Sequence, residues 1–579
     1  MTLKNIFPII EWFSSYKKDW LKGDLGAGLT VGVMLIPQGM AYASIAGMPP
    51  VYGLYASIVP LIIYAILGTS RQLAVGPVAM VSLLTATAIG SFGDLSVEQY
   101  VMYAILLAFI VGAIQFLLGL FRLGFLVNFL SHPVVSGFTS AAALIIGLSQ
   151  LKSLLGVNIP RSHHINEILL NAFHQFDKIN WISFAIGVVG ILIIIAIKKL
   201  KKGLPSQLFA VVFGILAVTF LGLSEGENAV KIVKDIPNTL PSFGIPNLDL
   251  NLMNSLLPMA ITIALVSFME SIAVAKAIQS KHRDYKVLPN QELIGLGLAN
   301  VFGSFFQSFP TTGGFSRTAV NDQAGAKTGL SAIISASLII ITLLFLTPLF
   351  YNLPKAILAS VIMVAVFGLI DYKEAIHLWK SDKTDFFLLV ITFLATLTIG
   401  IEKGIGLGVI LSLAIVILKT TRPHVAVLAN IHGTHFYRNI NRFGKDVVLK
   451  EDILIVRFDA QLYFANTTFF KDKLEELVAE KGNKLKLIII DGKSMNSLDS
   501  SGVHALLDVI DTYQVKGLKI AFSGMKGPVR DAMKKGGVID KVSFDHCFMS
   551  IQEAVDYYDK KCKNIPFENK FDKFIEQSN

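Results

Sequence analysis

Long apolar stretches separated by short polar ones dominate the first 420 residues of the chain. Several of these stretches fall short of the roughly 20 residues that a straight helix needs to cross a bilayer. The apolar segments lie near 26–45, 50–67, 74–90, 99–120, 125–148, 181–197, 204–223, 255–277, 291–307, 312–322, 329–350, 354–370, 385–401 and 404–419. The pattern predicts a polytopic α-helical membrane protein with 14 transmembrane segments.

The segments divide into two groups of seven at a long polar connection, 224–254. The third segment of each group is interrupted, at LAVGPVAMVSLL (73–84) and at PTTGGFSRTAV (310–320). A break in a spanning helix is tolerated only where it is buried in protein or lines a cavity. Because an odd number of segments gives the two groups opposite orientations, the matching breaks predict a 7+7 inverted repeat with a substrate site near the bilayer midplane.

Composition agrees with a membrane protein, and the charge pattern indicates its orientation. Of the 579 residues, 53% are hydrophobic and 16% are charged, whereas about a quarter of the residues of a soluble domain are charged. Basic residues cluster after even-numbered segments, which the positive-inside rule places in the cytosol. They are Arg71, Arg122, Lys198–Lys202, Lys281, Arg283, Lys327 and Arg422. The net charge of +10 therefore reflects topology, and we expect no nucleic-acid binding.

The first 24 residues differ from the membrane segments that follow. Residues 1–24 interleave lysines with aromatic and aliphatic side chains, and they lack the apolar core and cleavage site of a signal peptide. We expect an amphipathic interfacial segment on the cytosolic face. The transmembrane domain then spans 25–422, with repeat one at 25–223 and repeat two at 255–420.

After Arg422 the pattern changes to short apolar strands that alternate with helices. Strands are expected at 453–458, 485–491 and 518–524, with helical patterns at 466–480 and 500–514. This alternation predicts a cytosolic α/β domain over 440–562, followed by a polar tail at 563–579. Cys547 and Cys562, the two cysteines of the chain, both fall in this domain and form no CxxC motif, which fits a reduced compartment.

Several motifs follow one another along the chain. IPQGMAYASIAGMPPVYGLYAS (36–57), GTSRQLAVGPVAMVS (68–82), NQELIGLGLANVFGSFFQSFP (290–310) and GGFSRTAVN (313–321) together resemble the SulP anion transporters, also called solute carrier family 26. LDSSGVHALL (498–507) resembles the STAS domain that these transporters carry, which is related to anti-sigma-factor antagonists. The resemblance implies a core domain moving against a gate domain, 14 membrane segments, frequent homodimers and substrates such as sulfate, bicarbonate, chloride, oxalate and dicarboxylates.

The two breaks have the chemistry of an anion site. Half-helices that start after Pro77 and after Gly314 can aim both N-termini at one point, and each N-terminus carries unpaired N–H groups and about half a positive charge. Arg317 adds a full charge and a planar fork, and Ser316 adds a hydroxyl donor. The resemblance places this Ser-Arg pair at the anion site, so we expect Ser316 and Arg317, with Phe315, to bind substrate.

Four further residues are candidates for the same pocket. Gln38 and Tyr42 lie four residues apart and so share one helix face, and Pro37 loosens the helix where a substrate could approach. The resemblance implies that these first-segment positions line the pocket; helix–helix hydrogen bonding is the alternative for Gln38. Val78 and Ala79 are small enough for backbone N–H groups to face an anion.

Glu270 is a carboxylate within the eighth segment, in LVSFMESIAVAK. It shares a face with the small or polar residues Ala264, Ser267, Ser271 and Val274, and such faces pack against neighbouring helices, so Glu270 should point into the protein. Burial disfavours the charged carboxylate and a nearby arginine favours it, so the group can change protonation as the site fills. The resemblance adds that proton-coupled members carry a carboxylate here. We expect Glu270 to bind the coupling proton; a static ion pair with Arg317 and a sodium site are the alternatives.

Ser501 is a candidate regulatory site in the C-terminal domain. Asp499, Ser500 and Ser501 precede Gly502 and a helical pattern, where capping of the helix is the ordinary role of such residues. The resemblance to the antagonists makes Ser501 a candidate phosphosite, because the serine before the glycine is phosphorylated in them.

These features favour a transporter over an enzyme or an ATP-driven pump. The sequence has no Walker motif, HExxH motif or metal-spaced cluster, so we expect no cofactor and no metal. The favoured function is proton-coupled symport of an inorganic oxyanion, sulfate above all, by alternating access. We expect a homodimer in the cell inner (plasma) membrane, with the N-terminus and the STAS domain in the cytosol.

Other functions remain as alternatives. The same fold could support sodium- or proton-coupled bicarbonate or dicarboxylate transport, or anion exchange. A nucleobase permease is less favoured, because such proteins place a second carboxylate where this chain has Ser316 and Arg317. A membrane-anchored STAS signalling protein is also less favoured, because a passive anchor needs neither broken helices nor an intramembrane Glu270.

Overall fold

The computed structural model describes residues 7–125, 131–157, 170–171, 173–200, 205–226, 228–282 and 284–562. The chain divides into two compact units, Met1–Ser412 and Leu413–Asn579. Each of the apolar segments expected between 26 and 419 contains helix. In the described part of the chain, eight helices are long and apolar enough to cross a membrane, and three shorter apolar helices accompany them. The expected polar tail, 563–579, and the basic residues Arg283, Lys201 and Lys202 lie outside the described residues.

The helices of the first half follow the predicted order. They are α1 (Ile9–Ser14), α2 (Lys18–Ile45), α3 (Val51–Tyr55), α4 (Val59–Leu67), α5 (Ala79–Gly90), α6 (Val97–Leu120), α7 (His132–Ser149), α8 (Leu151–Leu154), α9 (Trp181–Leu200) and α10 (Ser206–Phe220). Helix α2 begins at Lys18, within the stretch expected to lie along the interface, and runs through Pro37 without interruption.

The second half repeats this arrangement of long and short helices. It comprises α11 (Leu250–His282), α12 (Pro289–Ser304), α13 (Phe315–Gln323), α14 (Leu330–Ile341), α15 (Lys355–Phe367), α16 (Tyr372–Ser381), α17 (Lys383–Ile399) and α18 (Ile401–Thr421). A π-turn and a 3-10 turn, Thr342–Leu346 and Thr347–Phe350, extend α14. Helix α16, which the sequence pattern did not predict, is short and amphipathic, and the Asp371 carboxylate caps its N-terminus.

The helices of the first unit pack as two bundles, each drawn from both halves of the chain. In the core bundle, α12 packs against α6 and α4, α11 against α6, and α14 against α2. In the gate bundle, α7 packs against α17, and α9 against α10 and α15. Small residues allow the closest approach: a Cβ on Gly112 of α6 would lie 2.6 Å from the Gly297 carbonyl oxygen of α12.

The two breaks meet in a short antiparallel pair at the centre of the core bundle. Strand β1 (Val75–Gly76) pairs with β2 (Thr312–Gly313), with Val75 opposite Gly313. Helices α5 and α13, of 12 and 9 residues, start just after these strands. At 1.5 Å per residue each covers only about half of the bilayer core. The antiparallel pairing is the geometry that oppositely oriented repeats produce.

Two buried carboxylates join distant parts of the first unit. Asp24, in helix α2, accepts hydrogen bonds from the Thr328 N–H (3.0 Å) and hydroxyl (2.7 Å). Glu292, in repeat two, accepts from the Thr69 N–H and hydroxyl (both 2.6 Å) and from the Tyr64 hydroxyl (2.6 Å). Both carboxylates are fully buried, so these bonds compensate the cost of removing each charge from water.

The second unit contains an α/β domain. Its strands are β3 (Val425–Ile431), β4 (Tyr437–Asn439), β5 (Val447–Val448), β6 (Ile453–Phe458), β7 (Leu487–Asp491), β8 (Lys519–Ser523) and β9 (Cys547–Phe548). They form one sheet in the order β4-β3-β6-β7-β8-β9, with β5 paired to β3. Strands β6 to β9 are parallel, and β3 is antiparallel to β6. The three predicted strands are confirmed as β6, β7 and β8.

Helices cover both faces of this sheet. They are α19 (Ile440–Phe443), α20 (Thr467–Lys481), α21 (Ser500–Val515), α22 (Gly527–Lys535), α23 (Val538–Val542) and α24 (Ile551–Cys562). Leu454 and Val456 pack with α20 and α21, whereas Ile453 and Ile455 pack on the opposite face near α24. Because both faces are buried, the central strands are continuous apolar runs with no alternation.

Candidate functional site

A cavity of about 490 Å³ lies between the core and gate bundles, beside the two breaks. Every residue predicted to bind substrate, and the predicted coupling residue, contributes to its wall: Gln38, Tyr42, Val78, Ala79, Phe315, Ser316, Arg317 and Glu270. The structure therefore brings together residues from four separate stretches of the chain.

Two helix N-termini line this cavity. The hydrogen bonds within α5 begin with the Ser82 N–H and Val78 O at 2.9 Å, and those within α13 with the Thr318 N–H and Gly314 O at 3.0 Å. The N–H groups of the three residues before Ser82, and of the three before Thr318, therefore have no acceptor within their helix. Val78 and Gly314 have extended backbones, so the chain turns into each helix at the cavity wall. The two ends supply partial positive charge to the same space.

Arg317 is the buried cation of the site, with 2% of its surface exposed. One guanidinium nitrogen, Nη1, donates to the carbonyl oxygen of Pro77 at 2.7 Å. The other two nitrogens, Nε and Nη2, are buried without a hydrogen-bond partner. The absence of a side chain at Gly314 makes room for the guanidinium, since a Cβ there would lie 2.9 Å from Nη2. Two donors on one charged fork thus remain available.

Glu270 faces the same cavity from α11. Its Oε2 atom is buried and has no hydrogen-bond partner. Within the described part of the chain, Glu270 and Arg317 form no ion pair; the guanidinium instead contacts the backbone of the other break. The carboxylate and the cation are therefore separate features of one cavity, and each retains unused hydrogen-bonding capacity.

Helix α2 contributes a third wall. Gln38 and Tyr42 are buried, at 1% and 6% exposure, and lie one turn apart on the helix. The Gln38 Oε1 atom has no hydrogen-bond partner. Phe315 and Ser316, at the start of α13, are exposed to the cavity. Beside Arg317, the site thus offers an amide, a phenol and a hydroxyl, which are suitable donors for an oxyanion.

A buried network that the sequence pattern did not single out fixes the second break. The Ser271 hydroxyl accepts from the Gly313 N–H at 2.8 Å and lies 2.6 Å from the Thr312 hydroxyl. Thr312 in turn donates to the Ser267 carbonyl at 2.7 Å. The small polar face predicted for the eighth segment thus packs directly on β2, one helical turn or less from Glu270. The sequence held the signal, since Ser267 and Ser271 flank Glu270 on that face.

The opposite wall, from the gate bundle, is mostly apolar. It includes Ile194, Val364 and Leu369, with Lys198 and Gln207 as its charged and amide groups. None of these residues was a candidate on sequence grounds, because Lys198 belongs to a basic cluster that also explains membrane topology. The polar groups that could hold a small anion are concentrated on the core side.

Ser501 lies on the first turn of α21 in the second unit. Asp499 is the residue that caps this helix, because its Oδ1 accepts from the Gly502 N–H at 2.7 Å. Its Oδ2 accepts from the Phe464 N–H at 3.0 Å. Capping therefore does not require the Ser501 hydroxyl, and phosphorylation of Ser501 stays a prediction.

Comparison with known proteins finds similarity along nearly the whole chain. Residues 21–392 match the model described as the sulfate permease family, and residues 445–554 match that of the STAS domain. Over 567 residues the chain is 41% identical to "Sulfate transporter 4.1, chloroplastic" of Arabidopsis thaliana, which covers 96% of this chain and 82% of that relative.

Two solved structures are similar in architecture. The murine anion transporter Solute Carrier 26 family member A9, in its inward-facing state, superposes with a TM-score of 0.88 at 27% identity, covering 96% of this chain and 94% of the other. The transmembrane domain of the cyanobacterium bicarbonate transporter BicA superposes with a TM-score of 0.59 at 22% identity, covering 68% of this chain and 98% of the other. The second similarity concerns the fold alone.

Proposed function

Because the chain belongs to the sulfate permease family and carries a STAS domain, we propose that it is a secondary active transporter whose principal substrate is sulfate. It is a multi-pass membrane protein of an anion-transporting family, as its motifs predicted. The choice of sulfate is supported by the similarity to a plant protein named as a sulfate transporter. Transport requires no bond to be made or broken, so we assign no enzymatic role.

The observation that carries this proposal is the unused donor capacity of Arg317. A buried guanidinium with two unpartnered nitrogens is costly unless a ligand of opposite charge satisfies it. Two helix N-termini converge on the same cavity and favour an anion as well. A tetrahedral oxyanion offers several oxygens at once and matches a planar fork together with backbone N–H groups.

The division into two bundles supports transport by alternating access. The core bundle supplies Arg317, Glu270 and both half-helices, whereas the gate bundle supplies a mainly apolar wall. Movement of one bundle against the other would expose the same site to each side in turn. The similarity to a solved transporter named as inward-facing supports a cavity that opens on the cytosolic side.

We assign proton coupling to Glu270. A protonated Glu270 leaves the positive charge of Arg317 and the helix ends free to attract sulfate, whereas an ionised Glu270 cancels about one charge unit. Anion and proton then favour each other's binding, which is the linkage that symport requires. Sulfate with one proton still carries one net negative charge inward, and each 100 mV of inside-negative potential opposes that by about 2.3 kcal/mol. The pH gradient or a second coupling ion must supply the difference.

The remaining assignments concern the cellular setting. We propose an inner (plasma) membrane location with the N-terminus and STAS domain in the cytosol, on the basis of the basic residues after even-numbered segments. We also propose a homodimer, as the family resemblance implies. Labelling residues of the 224–254 connection from outside in intact cells tests the proposed topology.

Reconstituted uptake tests the function. Purified protein in proteoliposomes should accumulate labelled sulfate when the outside is acidic, and unlabelled sulfate should compete more strongly than bicarbonate, chloride, fumarate or uracil. If bicarbonate or fumarate competed more strongly than sulfate, that anion would replace sulfate as the proposed principal substrate. Uptake that depends on a sodium gradient but not on a pH gradient would identify sodium as the coupling ion in place of the proton.

A further inference from the structure

Three charged side chains line the cavity among the described residues: Arg317, Glu270 and Lys198. The first two belong to the core bundle and are used in the proposed function. Lys198 lies in the last turn of α9, in the gate bundle, and has no part in it. We propose that Lys198 is a second anion-contacting residue, which gives the transport pathway its preference for dianions over monoanions. This inference rests on the proposed function.

The cavity has room for more than one anion position. The cavity of about 490 Å³ is roughly three times as large as a cavity of about 150 Å³ that holds a benzene molecule. A single inorganic oxyanion at Arg317 would leave much of this space to solvent or to a second position. A second cation along the same cavity therefore contacts an anion on its way to or from the buried site.

The solvent exposure of Arg317 and Lys198 indicates which of the two lies deeper in the cavity. Arg317 is 2% exposed, whereas Lys198 is exposed and so is Gln323 at the end of α13. Both exposed residues line the cavity together with Ser206 and Gln207 at the start of α10. Arg317 thus marks the closed end and Lys198 the exposed mouth of a cavity whose lining also includes amide and hydroxyl groups from both bundles.

The charge of Lys198 explains why this mouth should favour a dianion. With Glu270 protonated, Arg317 and the two helix ends attract an anion to the closed end of the cavity. Lys198 adds a full positive charge at the mouth, where an anion is attracted in proportion to its own charge. The Coulomb energy is proportional to the ligand's charge. Removal of one positive charge that lowers the affinity for a monoanion about threefold should therefore lower the affinity for a dianion about tenfold.

The neighbouring Lys199 provides a matched control. It has the same charge, lies on the same turn of α9 and is also exposed, but it does not line the cavity. A general effect of positive charge on protein orientation or on surface potential would appear equally in both substitutions. An effect confined to position 198 requires contact with the anion in the cavity.

The test compares Lys198→Gln, Lys198→Arg and Lys199→Gln in proteoliposomes, with labelled sulfate as substrate and nitrate as monoanion competitor. We expect Lys198→Gln to raise the KM for sulfate about tenfold at low ionic strength and the nitrate inhibition constant about threefold, with smaller effects at high salt because exposed charges are screened. Lys198→Arg and Lys199→Gln should resemble the wild type. Equal changes for both anions, or an unchanged KM for sulfate, would overturn the inference.

Chemical restoration of the charge gives a second, independent result. Lys198→Cys, with Cys547 and Cys562 replaced by serine, should regain a low KM for sulfate after reaction with a trimethylammonium methanethiosulfonate. A sulfonate reagent of similar size should raise the KM further. Identical responses to the two reagents would contradict a role for charge. Absence of sulfate uptake by the wild type would instead refute the proposed function, so the two failures are distinguishable.

Discussion

Arg317 lies at the second helix break, and Pro77 lies at the first. The Arg317 guanidinium donates a hydrogen bond at 2.7 Å to the carbonyl oxygen of Pro77. The cation of one repeat is therefore attached to the backbone of the other, at the point where β1 pairs with β2. This contact uses one nitrogen of the guanidinium and leaves two without partners. It fixes the charge in position before an anion arrives, which reduces the cost of binding.

Replacement of Glu270 tests the proposed coupling. In the wild type, sulfate uptake should increase as the outside pH falls, because protonation removes a negative charge that opposes the anion. Glu270→Gln mimics the protonated group permanently, so it should lose pH-driven accumulation while it keeps sulfate–sulfate exchange. The measurement is uptake against an imposed pH gradient and, separately, counterflow without one. An unchanged dependence on outside pH in the variant would exclude Glu270 as the proton site.

Replacement of Ser271 tests whether the second break must be held in place. Ser271→Ala leaves the buried Gly313 N–H without an acceptor, whereas the Thr312 hydroxyl keeps its bond to the Ser267 carbonyl; the change should cost about 1–3 kcal/mol of stability. The KM for sulfate should rise several-fold, because Gly313 precedes the helix that carries Arg317. Thermal unfolding and uptake kinetics measure the two effects.

The matched control lies on the same helix. Ser280 is exposed, and its hydroxyl donates only to the Ala277 carbonyl of its own helix. Ser280→Ala should therefore leave both stability and KM unchanged. If Ser271→Ala behaves in the same way, the network around the second break does not position the site.

Much of this architecture was predictable because hydrophobic periodicity and helix breaks are local signals. The segments, the two breaks and the strands β6, β7 and β8 all follow from such patterns. Val78 and Arg317 share a cavity because the matching breaks in opposite repeats meet. Gln38 and Glu270 join them from the first helix of each repeat.

The missing features depend on contacts between distant residues. The hydrogen bonds of Glu292 to Thr69 and Tyr64 join positions more than 200 residues apart, and nothing local to Glu292 indicates them. Strands β4, β5 and β9 were not predicted, because strands of two or three residues have no pattern of their own. Strand β3 has seven residues, but it follows the last apolar helix after only a few residues and was not separated from it. Lys198 was assigned to topology alone, since its place on the cavity wall depends on how α9 packs against the rest of the gate bundle.

Acid should weaken the second unit through Asp459. Burial alone would raise the pKa of Asp459, but hydrogen bonds from Arg457, His424 and Ser494 outweigh it and hold the pKa below its ordinary value of 3.8. A group whose pKa is lower in the folded state stabilises that state above its unfolded-state pKa. This contribution is lost as the pH falls through the lower, folded-state value.

Hydrogen exchange of the β6 amides in the full-length protein measures this effect. Protection should fall between about pH 5 and pH 3 in the wild type, after correction for intrinsic exchange rates, and Asp459→Asn should reduce that pH dependence. Asp508→Asn is the control, because Asp508 is exposed and pairs only with Lys471 at 3.3 Å. Equal pH profiles for the wild type and Asp459→Asn would show that the cluster does not contribute.

Binding of sulfate to purified protein tests the central assignment most directly, because it needs neither a gradient nor a complete transport cycle. Scintillation proximity measurements with labelled sulfate should give saturable binding to the wild type. Arg317→Ala should weaken it by about 10- to 100-fold, the loss of a charge-assisted pair of hydrogen bonds. Arg317→Lys should also bind weakly, since an ammonium keeps the charge but not the planar fork. Both variants should give the same size-exclusion profile and the same thermal unfolding transition as the wild type. Unchanged sulfate affinity in a folded Arg317→Ala protein would contradict the account.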